Sequence, residues 1–82
     1  VVRLLTLQAG GATLAAYTVP LDHPVIGYRI DHVQWPTDTV LTAILRDGVP
    51  VAPSADVVIE GGDELFFITT LDGGDQIRAL FA

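Results

Sequence analysis

The stretch Val40 to Asp63, VLTAILRDGVPVAPSADVVIEGGD, constrains the fold of this 82-residue chain more than any other. An apolar run ends in Asp47-Gly48. A short return segment with Pro50 and Pro53 follows, and a second apolar run leads to Gly61-Gly62-Asp63 and a further strand. Asp-Gly between two apolar runs favours hairpin turns with positive φ, whose twist matches that of paired strands. Thr37 to Arg46 reads as the longest strand. Val40 and Ile44 point opposite to Leu41, Ala43 and Leu45, so both faces are apolar, which predicts a central strand covered on both sides. Val49 to Ala52 returns beside it, and Pro50, lacking an amide hydrogen, confines that segment to an edge. Glu64 to Thr70, ELFFITT, is strongly β-prone.

Around this hairpin the remaining chain supplies fewer signals. Val1 to Ala9 fits a helix face or a strand face equally well, and Gly10-Gly11 ends it. Ala12 to Val19 alternates and is expected to form the first strand. Pro20 to Pro24 is a loop, after which Ile26, Ile30 and Val33 recur at helical spacing. A short helix over Val25 to Val33 is therefore expected, capped near Asp22 or His23 and ended before Pro36. Gly27 near its start lowers helix propensity, by up to about 1 kcal/mol against Ala, which points to a close packing contact. In the last helix Asp72 is placed to cap the free amides, and Ile77, Leu80 and Phe81 form the buried stripe. The expected fold is a small α+β domain of order β-α-β-β-β-α, with two helices on one side of a mostly antiparallel sheet.

Ten acidic residues against four arginines give a net charge of −6, which opposes the counterion-release binding of nucleic-acid proteins and docking on anionic lipid. No nucleic-acid partner is expected. No apolar run approaches the roughly 20 residues of a membrane-crossing helix, so direct membrane insertion is not expected either. Without cysteine there is no disulfide, thiolate metal site or thiol nucleophile. Half the residues are apolar and the mean hydropathy is +0.50, whereas a chain of this size buries only about 60% of its surface. A dimer partner or a flanking domain is expected to cover the excess. The chain has no methionine and opens on VVRLL, which reads as a piece of a longer protein.

Val25-Ile26-Gly27, the run Leu41-Thr42-Ala43-Ile44-Leu45-Arg46-Asp47-Gly48, then Pro53, Asp56, Ile59 and Gly62-Asp63-Glu64-Leu65 together carry a family likeness. The series resembles the C-terminal domain of regulators of potassium conductance, the RCK-C or TrkA-C domain, over roughly Ala12 to Ala82. The resemblance implies a regulatory domain at residues 12–82, with residues 1–11 as a linker or the tail of a preceding domain. It implies a cytoplasmic homodimer, coupled to a membrane channel or transporter subunit, with a cleft for a regulatory ligand. Cyclic di-AMP is such a ligand in some members, and NAD or ATP belongs to a preceding domain rather than to this segment. No G-x-G-x-x-G occurs here. The function so implied is non-catalytic ligand sensing and dimerisation in potassium or other cation transport. The alternatives are a ligand-free structural dimerisation module, favoured if Trp35 or Tyr28 fills the cleft, and a regulatory domain of an antiporter, an anion transporter or a transcription regulator.

The family cleft lies around the first helix, the segment after it and the adjoining strand, which makes Arg29, His32, Val33 and Trp35 the candidate ligand residues, with Arg46. Arg29 and Arg46, doubled across a two-fold axis, would neutralise a two-phosphate ligand; the plainer role is surface pairing with the abundant aspartates. His32 either caps the end of its helix or stacks on a base beside Trp35. Asp22-His23 reads as a general base or metal ligand, or else as a helix cap beside a solvated loop histidine. Asp47, Asp56 and Asp63 are each explained as turn formers, and their spacing does not match an EF-hand loop. Ser54 lacks a nucleophile-elbow pattern, and no catalytic residue is expected.

Overall fold

The computed structural model describes residues 2–6 as backbone and residues 11–81 in full. Five strands form one antiparallel sheet: β1 (Val2–Thr6), β2 (Thr13–Thr18), β3 (Val40–Arg46), β4 (Val49–Val51) and β5 (Glu64–Thr69), in the spatial order β1-β2-β5-β3-β4. A single helix, α1 (Leu71–Leu80), follows β5, and a 3-10 turn covers Ile30–His32. The α+β class and the antiparallel sheet are as expected. The order differs in two ways. Val2–Thr6, which the sequence left ambiguous, pairs with β2 as β1, and the expected first helix is replaced by successive turns.

The β3–β4 turn follows the Asp-Gly rule, with Asp47 at φ 53° and Gly48 at φ 76°. β4 is a three-residue edge strand with Pro50 opposite Leu45, as its missing amide requires. β3 begins at Val40 rather than Thr37, because Asp38 turns the chain at φ 58°. Contrary to expectation, β5 is the centre of the sheet. It pairs with β2 on one side and β3 on the other, burying Leu65, Phe67 and Thr69 on one face. β3 is not covered on both sides: Ile44 is fully buried, whereas Val40 is 60% exposed. A register shift between Leu41 and Ala43 lets Leu41 and Ile44 both reach the core.

The helix expected over Val25 to Val33 fails because its backbone groups are used elsewhere. Gly27 N–H donates to Ile59 O at 2.9 Å, Ile59 N–H to Tyr28 O at 2.9 Å, and Ile30 N–H to Val57 O at 2.9 Å. Gly27 sits at φ 93° with nothing near the position of a Cβ, so it serves backbone geometry and not the close packing contact expected. In α1 the N-cap is Thr70, whose hydroxyl accepts from Gly73 N–H at 3.0 Å, while Asp72 instead accepts from Gln76. Ile77 and Phe81 are buried, and Leu80 is partly exposed. The core lies on one face of the sheet, where Tyr17, Ile44, Leu65 and Phe67 meet Val25, Ile30 and Ile59 from the loops and Ile77 and Phe81 from the C-terminal end.

Candidate functional site

The turns that replace the first helix leave a cavity of about 520 Å³ between themselves and the end of α1. Pro24, Val25, Tyr28, His32, Val33 and Gln34 line it from one segment, and Leu80 from α1. Val25 is buried at 8% exposure and anchors the floor, while Tyr28 stands 55% exposed at the rim. The wall is thus apolar, with a phenol, an imidazole and a carboxamide as its polar side chains and no acidic residue among those lining it. The size and character suit a small-molecule site.

His23 joins the two walls. Its Nε2 lies 2.6 Å from Leu80 O, and its Nδ1 accepts from Val25 N–H at 3.0 Å. Its ring packs on Phe81 with centroids 5.4 Å apart. Neither the helix cap nor the solvated loop histidine expected of Asp22-His23 describes this arrangement.

Of the residues singled out from sequence, His32 and Val33 line the cavity. His32 ends the 3-10 turn, with Nε2 3.8 Å from Asp31 Oδ1. Arg29 precedes that turn and is not a lining residue. Its Nε and Nη2 donate to both carboxylate oxygens of Asp31 at 3.0 and 2.8 Å. That hydrogen-bonded pairing raises the guanidinium above its ordinary pKa and holds the Asp31 carboxyl below its own. Trp35 turns into the core, with its ring 5.2 Å from that of Phe67. Its indole N–H is buried without a hydrogen-bond partner.

Arg46 is committed to structure. Its Nε and Nη2 each donate to Asp63 at 2.9 Å, Nη2 also donates to Val58 O at 2.9 Å, and Nη1 pairs with Glu60 at 2.9 Å. The Asp63 bond, ahead of the other charges, pushes its pKa up. This fork ties β3 to the loop before β5. Asp63 also accepts from Glu60 N–H at 3.0 Å, the turn role expected of it. Among the described residues no group of three or more His, Asp or Glu is placed to hold a metal ion.

Pro24, Val25, Gln34 and Leu80 are not among the site residues expected from sequence, and Tyr28 enters there only as a residue that would fill the cleft. An exposed aromatic two residues beyond Ile26 was the available hint at Tyr28. Leu80 carried none, because its spacing with Ile77 marks it as core.

Residues 14–82 match the TrkA-C domain model. Two curated relatives, each a Trk system potassium uptake protein TrkA of Mycobacterium tuberculosis, are 35% identical over 79 residues, covering 96% of this chain and 36% of theirs. The chain therefore spans about a third of the length of the curated relatives it matches. Among solved structures, an RCK domain with cda superposes with a TM-score of 0.72 at 14% identity, covering 84% of this chain and 97% of that one. The RCK_C domain dimer of S. agalactiae BusR in complex with c-di-AMP superposes with a TM-score of 0.72 at 27% identity, covering 83% of this chain and 93% of that one. With its pattern of turns, its five-stranded sheet and its family match in agreement, this chain belongs to the TrkA-C domain family.

Proposed function

We propose that this chain is a non-catalytic regulatory domain of a potassium or other cation transport system, sensing a nucleotide ligand as a homodimer. The observation that carries the reading is the open cavity of about 520 Å³, with Tyr28, His32 and Gln34 around an apolar floor of Val25, Val33 and Leu80. Aromatic and imidazole rings stack on bases, and a carboxamide reads their edges. Cyclic di-AMP is the proposed ligand, supported by the complex of the BusR relative. None of the lining residues is acidic, so the repulsion that a net −6 chain exerts on a dianion comes from outside the wall, Asp31 beside His32 included.

Of the two candidate arginines, Arg29 is the one proposed to meet phosphate, by exchanging its exposed Asp31 partner for the ligand. Arg46 supports the site at one remove, by holding the loop before β5 whose Val57 and Ile59 carbonyls accept from Ile30 and Gly27. Trp35 supports the fold under the site, from its place against Phe67. Ligand binding across two copies would favour one orientation of the pair, and an attached module would convert that into gating. In the longer protein so envisaged, residues 12–82 form the sensor and residues 1–11 enter from a preceding cytoplasmic domain that takes NAD or ATP, adding β1 to the sheet edge.

The ligand-free alternative is favoured if Trp35 or Tyr28 fills the cleft. Trp35 faces the core and Tyr28 stands at the rim, which favours the sensing reading. Calorimetry with cyclic di-AMP tests it. Binding to the unmutated domain is expected, weakened about tenfold or more in Tyr28→Ala and Arg29→Ala, as loss of a stacked or charge-assisted contact implies. No heat from the unmutated domain would leave the structural module as the function.

A further inference from the structure

We propose that His23 is the positioning residue of the cavity, holding its two walls in register as a neutral imidazole protonated on Nε2; the role assigned to the cavity rests on the sensing reading above. The two walls come from opposite ends of the fold. Pro24 and Val25 follow His23 directly, whereas Leu80 lies 57 residues on, in the last turn of α1. A carbonyl oxygen only accepts, so the 2.6 Å contact to Leu80 O requires the proton on Nε2. A backbone amide only donates, so the 3.0 Å contact from Val25 N–H requires a bare Nδ1. One protonation state satisfies both. The Leu80 carbonyl is among the helix-end acceptors that have no intrahelical partner, and His23 supplies the missing donor.

The ring is seated from the side as well. Phe81, 6% exposed, packs on it and in turn lies 6.4 Å from Tyr17 in the core. Rotation of the imidazole would therefore disturb the C-terminal packing, so a change of state at His23 is felt at Val25. Protonation of Nδ1 would turn an N–H toward the Val25 N–H, leaving two donors opposed, while the bond to Leu80 O persists. Acid should release the Val25 wall and spare the helix wall. The titratable and charged groups on the neighbouring elements are Asp22 on its own loop, Tyr28 and His32 on the same wall of the cavity with Asp31 beside His32, Asp72, Asp75 and Arg78 on α1, and Tyr17 on β2. Asp72 is bonded to Gln76, Asp75 and Arg78 pair with each other at 3.1 Å, and the Tyr17 hydroxyl is bonded to Gly74 O. Both ring nitrogens of His23 are occupied by backbone groups.

Two substitutions separate the bonds. His23→Gln retains a donor that reaches toward Leu80 O but no acceptor in the ring plane for Val25; His23→Asn retains an acceptor close to Val25 N–H but does not reach Leu80. The measurement is nitrogen-15 NMR of the imidazole, with the Val25 amide and Leu80 methyl signals followed through a pH titration and cyclic di-AMP added at each pH. The neutral ring is expected with its proton on Nε2. The Val25 amide should move with the ring as pH falls, and His23→Asn should remove that pH dependence; at one neutral pH, with His32 the same in both, cyclic di-AMP should bind about tenfold more weakly to His23→Gln than to the unmutated domain. A proton on Nδ1 at neutral pH, or a Val25 amide indifferent to the ring, would overturn the proposal, and both are read on the unmutated domain. If cyclic di-AMP does not bind at any pH, the sensing reading fails on its own, and the NMR signals still decide whether His23 ties the walls.

Discussion

Tyr17 and Asp63 are buried polar residues with opposite solutions to the same problem. Asp63 is 1% exposed and paired with Arg46, with the Glu60 amide taking a further lone pair. A buried charge is tolerated when it is paired and hydrogen-bonded in this way. Tyr17 stays neutral: its hydroxyl donates to Gly74 O at 3.0 Å, and burial raises its pKa above the ordinary 10.0. The folded state thus holds the phenol proton more tightly than the unfolded chain. The stability this contributes is complete below pH 10 and declines as pH rises through the higher folded value. Tyr17→Phe is expected to flatten that alkaline decline, seen in urea melts across pH, and to cost about 1 kcal/mol at neutral pH for the lost hydrogen bond. An equally steep alkaline limb in the variant would place the titration elsewhere. Asp63 was legible in sequence as a turn former beside Gly62. Its partner Arg46 was not, because nothing in a linear order of many aspartates and four arginines selects one pair.

The segment from Pro24 to Pro36 is the element on which the site depends, and its helical spacing misled. Ile30 does reach the core, and Ile26 and Val33 pack against it, as that spacing requires, but the amides of Gly27, Ile30 and Asp31 bond to carbonyls of residues 55–59. A chain with alternative backbone partners need not form a helix to satisfy its polar groups. Gly27 at φ 93° makes the crossing. Gly27→Ala is expected to destabilise the domain by about 1–2 kcal/mol, the cost of a left-handed L-residue, lowering the midpoint of thermal unfolding by several degrees. Since nothing lies within 4 Å of the added carbon, the effect is one of backbone and not of packing. An unchanged melting curve would contradict that account. The hairpin at Asp47-Gly48 was legible for the complementary reason: its two positive φ angles are a local matter, decided by the residues of the turn themselves.

At the scale of the whole molecule, the sheet is packed on one side. Its other face carries Leu14 opposite Ile68, both half-buried, with half-buried Phe66 opposite a buried Ala16, and continues to exposed Val40. Several further apolar side chains are outside the core, including Leu21 at 83% and Leu71 at 64% exposure. Such surface, on a chain that is half apolar, is expected to be covered by association. Light scattering of the isolated domain should therefore return twice the 8.7 kDa of one chain at micromolar concentration; a monomer there would remove the homodimer from the proposed mechanism. The residues alone determined the turns, the proline-bearing edge and the β-prone strand that proved central, because steric limits on φ and alternation of side chains act within a few residues. They also carried the family. Tertiary structure alone decided which strand lies at the centre, that Arg46 closes on Asp63, and that a histidine and a helix carbonyl 57 residues apart meet at one cavity. Each is a contact between distant parts of the chain, chosen by what remains unsatisfied once the local structure has formed.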